Sequence, residues 1–133
     1  MNSAEITKIL VKFFGTNGYL QKANHIHNEF TIYNHEDGDT ELILSFEPDT
    51  LEVNVILKKN KKKLLGFTAM TIHSVKLDSH IEYGEEESNP ILKVYLKKGI
   101  NIVLQTQPSN SVWVFDQEPP NQPLKRDALK GAA

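Results

Sequence analysis

The sequence predicts a mainly β, α+β protein: an N-terminal helix followed by a seven- or eight-stranded, mostly antiparallel barrel or sandwich. Three observations predict it. Apolar residues in the first segment fall at Ile6, Ile9, Leu10 and Phe13, the spacing of one helix face. From Phe30 onward the apolar period changes to two, with turn residues interrupting the chain roughly every ten positions, as in all-β architectures. No second helical segment is long enough for the crossover that a parallel neighbour requires.

Each element has a local justification. Asn2 or Ser3 can cap the helix, Glu5 complements its positive end, and Gly15 suits the left-handed position that stops it. Phe30 and Ile32 alternate with Thr31 and Tyr33, then Leu42, Leu44 and Phe46 with Glu41, Ile43 and Ser45, then Leu51, Val53, Val55 and Leu57 with Glu52, Asn54 and Ile56. Asp37-Gly38 and Glu47-Pro48-Asp49 supply the breaks between these half-buried strands. Leu65, Phe67 and Ala69, followed by Val75, Leu77, Ile81 and Tyr83, predict two more strands joined by a tight bend. Gly84 to Pro90 reads as a loop, and Leu92 to Leu96 pairs with Ile100 to Leu104 across Lys97-Lys98-Gly99 as a hairpin. Val112 to Phe115 is a last short strand, after which Glu118-Pro119-Pro120 leaves the sheet.

The 133 residues, 39% of them hydrophobic, suffice for one core, so residues 1–117 are expected as a single globular domain. Residues 118–133 are expected as a proline-containing tail with at most a short helical turn. No run approaches the roughly 20 apolar residues of a membrane-spanning helix. The start MNSAEITKIL lacks the basic stretch and apolar block of a secretory signal, so a cytoplasmic location is the expectation. The chain has no cysteine, which excludes disulfides, thiolate metal sites and a cysteine nucleophile.

Charge is distributed unevenly. Residues 1–57 carry three lysines against nine carboxylates, and residues 58–133 carry twelve basic residues against eight carboxylates, giving −6 and then +4. The acidic block contains Glu36, Asp37, Asp39 and Glu41, and Lys58, Lys59, Lys61, Lys62 and Lys63 follow it. Fourteen of the fifteen basic residues are lysine and one is Arg126, so bidentate arginine recognition of phosphates or guanine edges has almost no donors.

The candidate sites follow from this layout. His25-Ile26-His27-Asn28-Glu29 would present two imidazoles and a carboxylate on one side of an extended chain, but without a third supporting motif no metal site and no cofactor are predicted. Glu36-Asp37-Gly38-Asp39 lacks the ligand order of a calcium loop and reads as an acidic turn. No phosphate-binding glycine loop, nucleophile elbow or Ser-His-Asp set stands out, so no catalytic residue is nominated and a non-enzymatic protein is expected. The five lysines sit at a hairpin tip, where they either solubilise a turn or attract phosphate backbones nonspecifically. Trp113, with Val112, Val114 and Phe115, is either core or an interface anchor.

The expected function is a small adaptor, inhibitor or immunity-type factor. It would bind a protein partner stoichiometrically through a charge-asymmetric β surface that uses Glu36, Asp37, Asp39, Glu41 and Trp113. The alternative is a nucleic-acid-associated β-barrel with Lys58, Lys59, Lys61, Lys62 and Lys63 as a phosphate-backbone clamp. Alternation does not encode which strand forms a sheet edge, and so it does not encode whether a second copy pairs there.

Overall fold

A computed structural model describes residues 1–22, 29–80, 88–98 and 100–115. Helix α1 (Ser3–Phe14) precedes eight strands: β1 (Tyr19–Lys22), β2 (Glu29–Asp37), β3 (Thr40–Glu47), β4 (Glu52–Lys59), β5 (Lys62–His80), β6 (Asn89–Leu96), β7 (Asn101–Gln105) and β8 (Ser111–Phe115). Each strand pairs antiparallel with the next, giving one eight-stranded sheet in chain order that is not closed into a barrel.

The helix is bounded as its sequence requires. Asn2 Oδ1 accepts the Glu5 backbone N–H at 2.9 Å while the Glu5 carboxylate reaches back to the Asn2 N–H, a complete capping box. At the other end Gly15 takes φ 73° and donates its N–H to the Val11 carbonyl. Ile6, Leu10, Phe13 and Phe14 form the buried stripe. They join one continuous core with Tyr33, Leu44, Phe46, Val55 and Leu104 of the sheet. Each such side chain contributes roughly 1.5–3 kcal/mol of burial free energy, so the helix is held by its apolar face more than by propensity.

Two-residue alternation assigns the core face correctly in β3, where Leu42, Leu44 and Phe46 are buried, and in β4, where Val53 and Val55 are. Two expectations are corrected. Of the two strands expected over residues 65–83, residues 65–80 belong to one 19-residue strand, β5, whose first half pairs with β4 and second half with β6, and Ile81 and Tyr83 lie outside the described residues. Its bend is internal: the register jumps from Val53↔Met70 to Val55↔Phe67, so Thr68 and Ala69 stand opposite Asn54 alone, and Ala69 adopts φ 54°. Asn54 Oδ1 accepts the Ala69 N–H at 2.7 Å and its Nδ2 donates to Ser45 Oγ at 3.1 Å. The polar side chain thus replaces the ladder bond that the bulge removes.

The second correction is β1, which the sequence reading omitted because four residues, Tyr-Leu-Gln-Lys, are too short to display a period. The chain enters it through Gly18, where a Cβ would lie 2.5 Å from Thr31 Cγ2 and 2.8 Å from the Ile32 carbonyl oxygen, a close approach that only glycine permits. His25, His27 and the residues 118–133 fall outside the described residues. No described helix is long and apolar enough to cross a membrane.

Two outcomes are expected. Asn54→Ala leaves the exposed Ala69 N–H to water at a left-handed residue and should cost about 0.5–1.5 kcal/mol in urea unfolding. An unchanged midpoint would show that the bulge does not need this bond. Tyr33 is buried and stacked on Phe14 at 5.5 Å, and burial raises its phenol pKa above the usual value. The stability it provides is complete below the unfolded-state pKa of about 10 and is lost as pH rises through the higher folded-state value. Urea midpoints of the wild type should therefore fall more steeply than those of Tyr33→Phe above about pH 10.

Candidate functional site

In an up-and-down meander alternate turns fall at the same end of the sheet, and this brings together the two charged segments that are separate in sequence. The β2–β3 hairpin closes through Gly38-Asp39, with Gly38 at φ 60° in the first loop position, as a II′ turn requires. Thr40 Oγ1 donates to the Asp37 carbonyl at 2.9 Å and tightens it. The β4–β5 hairpin closes through Asn60-Lys61, both left-handed at φ 52° and 65°, the pattern of a I′ turn. The two tips are joined: the Asn60 N–H donates to the Asp39 carbonyl at 2.8 Å.

The resulting surface is an ordered charge gradient. One outward row of directly opposed residues runs Glu36, Glu41, Lys58, Lys63 across β2 to β5, and the row beyond it runs Asp37, Thr40, Lys59, Lys62. Three inter-strand spacings of roughly 4.8 Å separate the acidic side from the basic side. Lys59, Lys61, Lys62 and Lys63 are exposed, Lys58 is half-buried, and Glu36, Asp37 and Asp39 are exposed. Glu41 is half-buried and accepts from Asn34 Nδ2 at 3.0 Å, which fixes the central carboxylate. Between the tips lies an open groove of about 280 Å³ flanked by Glu36, Asp39, Glu41, Lys58 and Lys61.

The arrangement works against stability. Glu36 opposite Glu41, Lys58 opposite Lys63 and Lys59 opposite Lys62 are like-charged cross-strand pairs, each unfavourable by up to about 1 kcal/mol, and only Glu41–Lys58 is complementary.

The base of the acidic hairpin is anchored from the far end of the meander. Asn110, buried in the β7–β8 connection, donates from Nδ2 to the His35 carbonyl at 2.9 Å and to Thr40 Oγ1 at 3.2 Å. Its Oδ1 lies 2.8 Å from His35 Nδ1, and because Asn110 Nδ2 is already donating, His35 Nδ1 carries the proton. Trp113 lies on the edge strand β8 opposite Val103, 37% exposed, and roughly 10 Å along the strand from Asn110. The acidic residues and the lysines are therefore one surface, and Trp113 belongs to a different strand edge linked to it through Asn110. Among the described residues no group of three or more His, Asp or Glu side chains is placed to hold a metal.

Sequence reading missed the juxtaposition, although hairpin order contained the signal: the first and third turns of consecutive hairpins must share an end. It also missed Asn54, Asn60 and Asn110, whose roles lie in bonds to residues 9 to 75 positions away. No protein-family model, curated protein or solved structure matches the chain.

The double variant Glu36→Lys/Lys63→Glu converts the row into alternating opposite charges. It should raise unfolding stability by about 0.5–2 kcal/mol at low salt, with the gain shrinking at 1 M salt. A destabilised double variant would contradict the outward cross-strand register.

Proposed function

We propose that the chain is a non-enzymatic protein-binding module whose β2–β3 and β4–β5 hairpin tips recognise a partner carrying a complementary pair of basic and acidic patches. The observation that carries this reading is the ordered row Glu36, Glu41, Lys58, Lys63, in which like charges are held side by side at a cost to the fold. An arrangement that opposes stability is accounted for by recognition, where aligned potentials set partner choice and register. Adaptor, inhibitor and immunity-type roles all use such stoichiometric binding, and Trp113 on the neighbouring edge is a candidate apolar anchor beside the polar contact.

The nucleic-acid alternative draws on the four exposed lysines, Lys59, Lys61, Lys62 and Lys63. It ranks second because Glu41 stands directly opposite Lys58 and Asp39 is bonded through its carbonyl to Asn60, which puts carboxylates where a phosphate backbone would run. The hairpin tips are defined by local pairing.

The test is affinity capture from lysate of the source cells with the wild type and the Glu36→Lys/Lys63→Glu variant, with and without nuclease, at about 50 mM and about 500 mM salt. A protein partner retained after nuclease, lost at high salt and lost with the more stable variant is the expected result. Capture that vanishes with nuclease would transfer the function to the lysines and overturn the proposal. So would capture of the same partner by the double variant.

A further inference from the structure

Ile6, Leu10, Phe13 and Phe14 of α1 pack on the core face of the sheet, and an apolar groove lies outside that core. It lies at the bend of β5. The bulge at Thr68-Ala69 and the change of partner strand after Thr71 separate β5 from the β6–β7 connection, leaving a groove of about 400 Å³. The Lys97 N–H donates to the Thr71 carbonyl at 3.1 Å and pins the two walls together at one point.

The walls have distinct chemistry. Phe67, Met70 and Leu96 form an apolar lining continuous with the core, and Ile100 extends it outward while remaining 50% exposed. Two exposed lysines, Lys97 and Lys98, line the same groove, and among the described lining residues none is acidic. An apolar trough that also carries cations matches an amphipathic anion, and the volume falls within the 300–1,000 Å³ typical of small-molecule sites.

We infer that this groove binds a free, monomeric, medium-chain amphipathic carboxylate, its tail on Phe67, Met70, Leu96 and Ile100 and its head at Lys97 and Lys98. The tail gains the burial energy of each methylene in turn, so affinity rises about fourfold per added CH₂ until the groove is full. The head is recognised by point charge alone, since neither lysine offers a planar fork. This site is independent of the charged hairpin tips and does not rest on their proposed role.

The test exploits the chain's two methionines, Met1 and Met70. With ¹³C-labelled methionine methyls, Met70 reports the groove and Met1 serves as an internal control, each titrated with hexanoate, octanoate, decanoate, decanol and decylammonium below their micelle concentrations. Saturable movement of Met70 alone is expected, tightening along the carboxylate series, with decanol at least about fivefold weaker and decylammonium weaker still. Lys97→Glu/Lys98→Glu should abolish the preference for decanoate over decanol, and the uncharged Ile100→Ser should weaken all ligands while the Met1 signal shows the fold intact. An unmoved Met70 signal would overturn the inference. Equal binding of decanol and decanoate, or cosedimentation with anionic vesicles in preference to decanoate binding, would overturn it too.

Discussion

The hydrogen bond from the Ala69 N–H to Asn54 Oδ1 holds the bend on which the rest of this molecule depends. A straight 19-residue strand would extend roughly 60 Å and could not keep both its halves against one small core. The extra residue opposite Asn54 turns β5, but it does so by placing a non-glycine residue at φ 54° and removing a ladder bond. A left-handed alanine costs roughly 1–2 kcal/mol, and the ladder bond lost at this exposed N–H is worth about 0.5–1.5 kcal/mol net. Asn54 removes the second cost, and the burial of Val53, Val55, Ile72 and Val75 on either side offsets the first. From that bend follow both the approach of β7–β8 to the first hairpin, sealed by Asn110, and the opening of the apolar groove at the bend itself.

The fold was legible wherever one residue's neighbours decide its fate. Helix α1 was readable from Asn2 to Gly15 because capping, first-turn charge and apolar spacing all point to the same answer. Strands β3 and β4 were readable because one face is buried and the other is not, which alternation reports directly. β5 was misread as two strands because its register shifts move the core-facing parity from Phe67 to Met70 and Ile72 and then to Val75 and Leu77, so the pattern breaks where the chain does not. β7 shows a different limit: all five of its residues are buried, so its two faces cannot be told apart by polarity.

For the candidate site the sequence supplied the residues and withheld their arrangement. Glu36 and Lys63 are 27 positions apart, and only pairing through β3 and β4 puts them in one row. The sum of charges suggested an electrically polar molecule with separate acidic and basic regions. The row shows a compact gradient instead, complementary at its centre and like-charged on either side. That difference has a physical consequence. A separated dipole steers partners at long range, whereas opposed charges one strand apart cancel beyond a Debye length of about 8–10 Å and act on a partner already in contact. The surface is therefore suited to setting register and rejecting mismatched partners more than to accelerating encounter.

The same screening argument separates the two surfaces. Lys63 and Met70 are seven residues apart on β5, roughly 20 Å along the strand and about twice the Debye length at physiological salt. Lys97 and Lys98 therefore give the apolar groove its own local positive potential, with little contribution from the hairpin lysines. Any coupling between the sites would have to be mechanical, carried in part by the bulge, because Asn54 belongs to the strand that bears Lys58 while Ala69 lines the groove. A ligand that spreads the groove pulls on the Ala69 N–H and hence on β4. β5 itself also joins the two surfaces, since Lys62 and Lys63 begin the strand whose residues 67–71 wall the groove. Occupation of the groove therefore reaches the charged end both along the bent strand and through the bond that makes the bend.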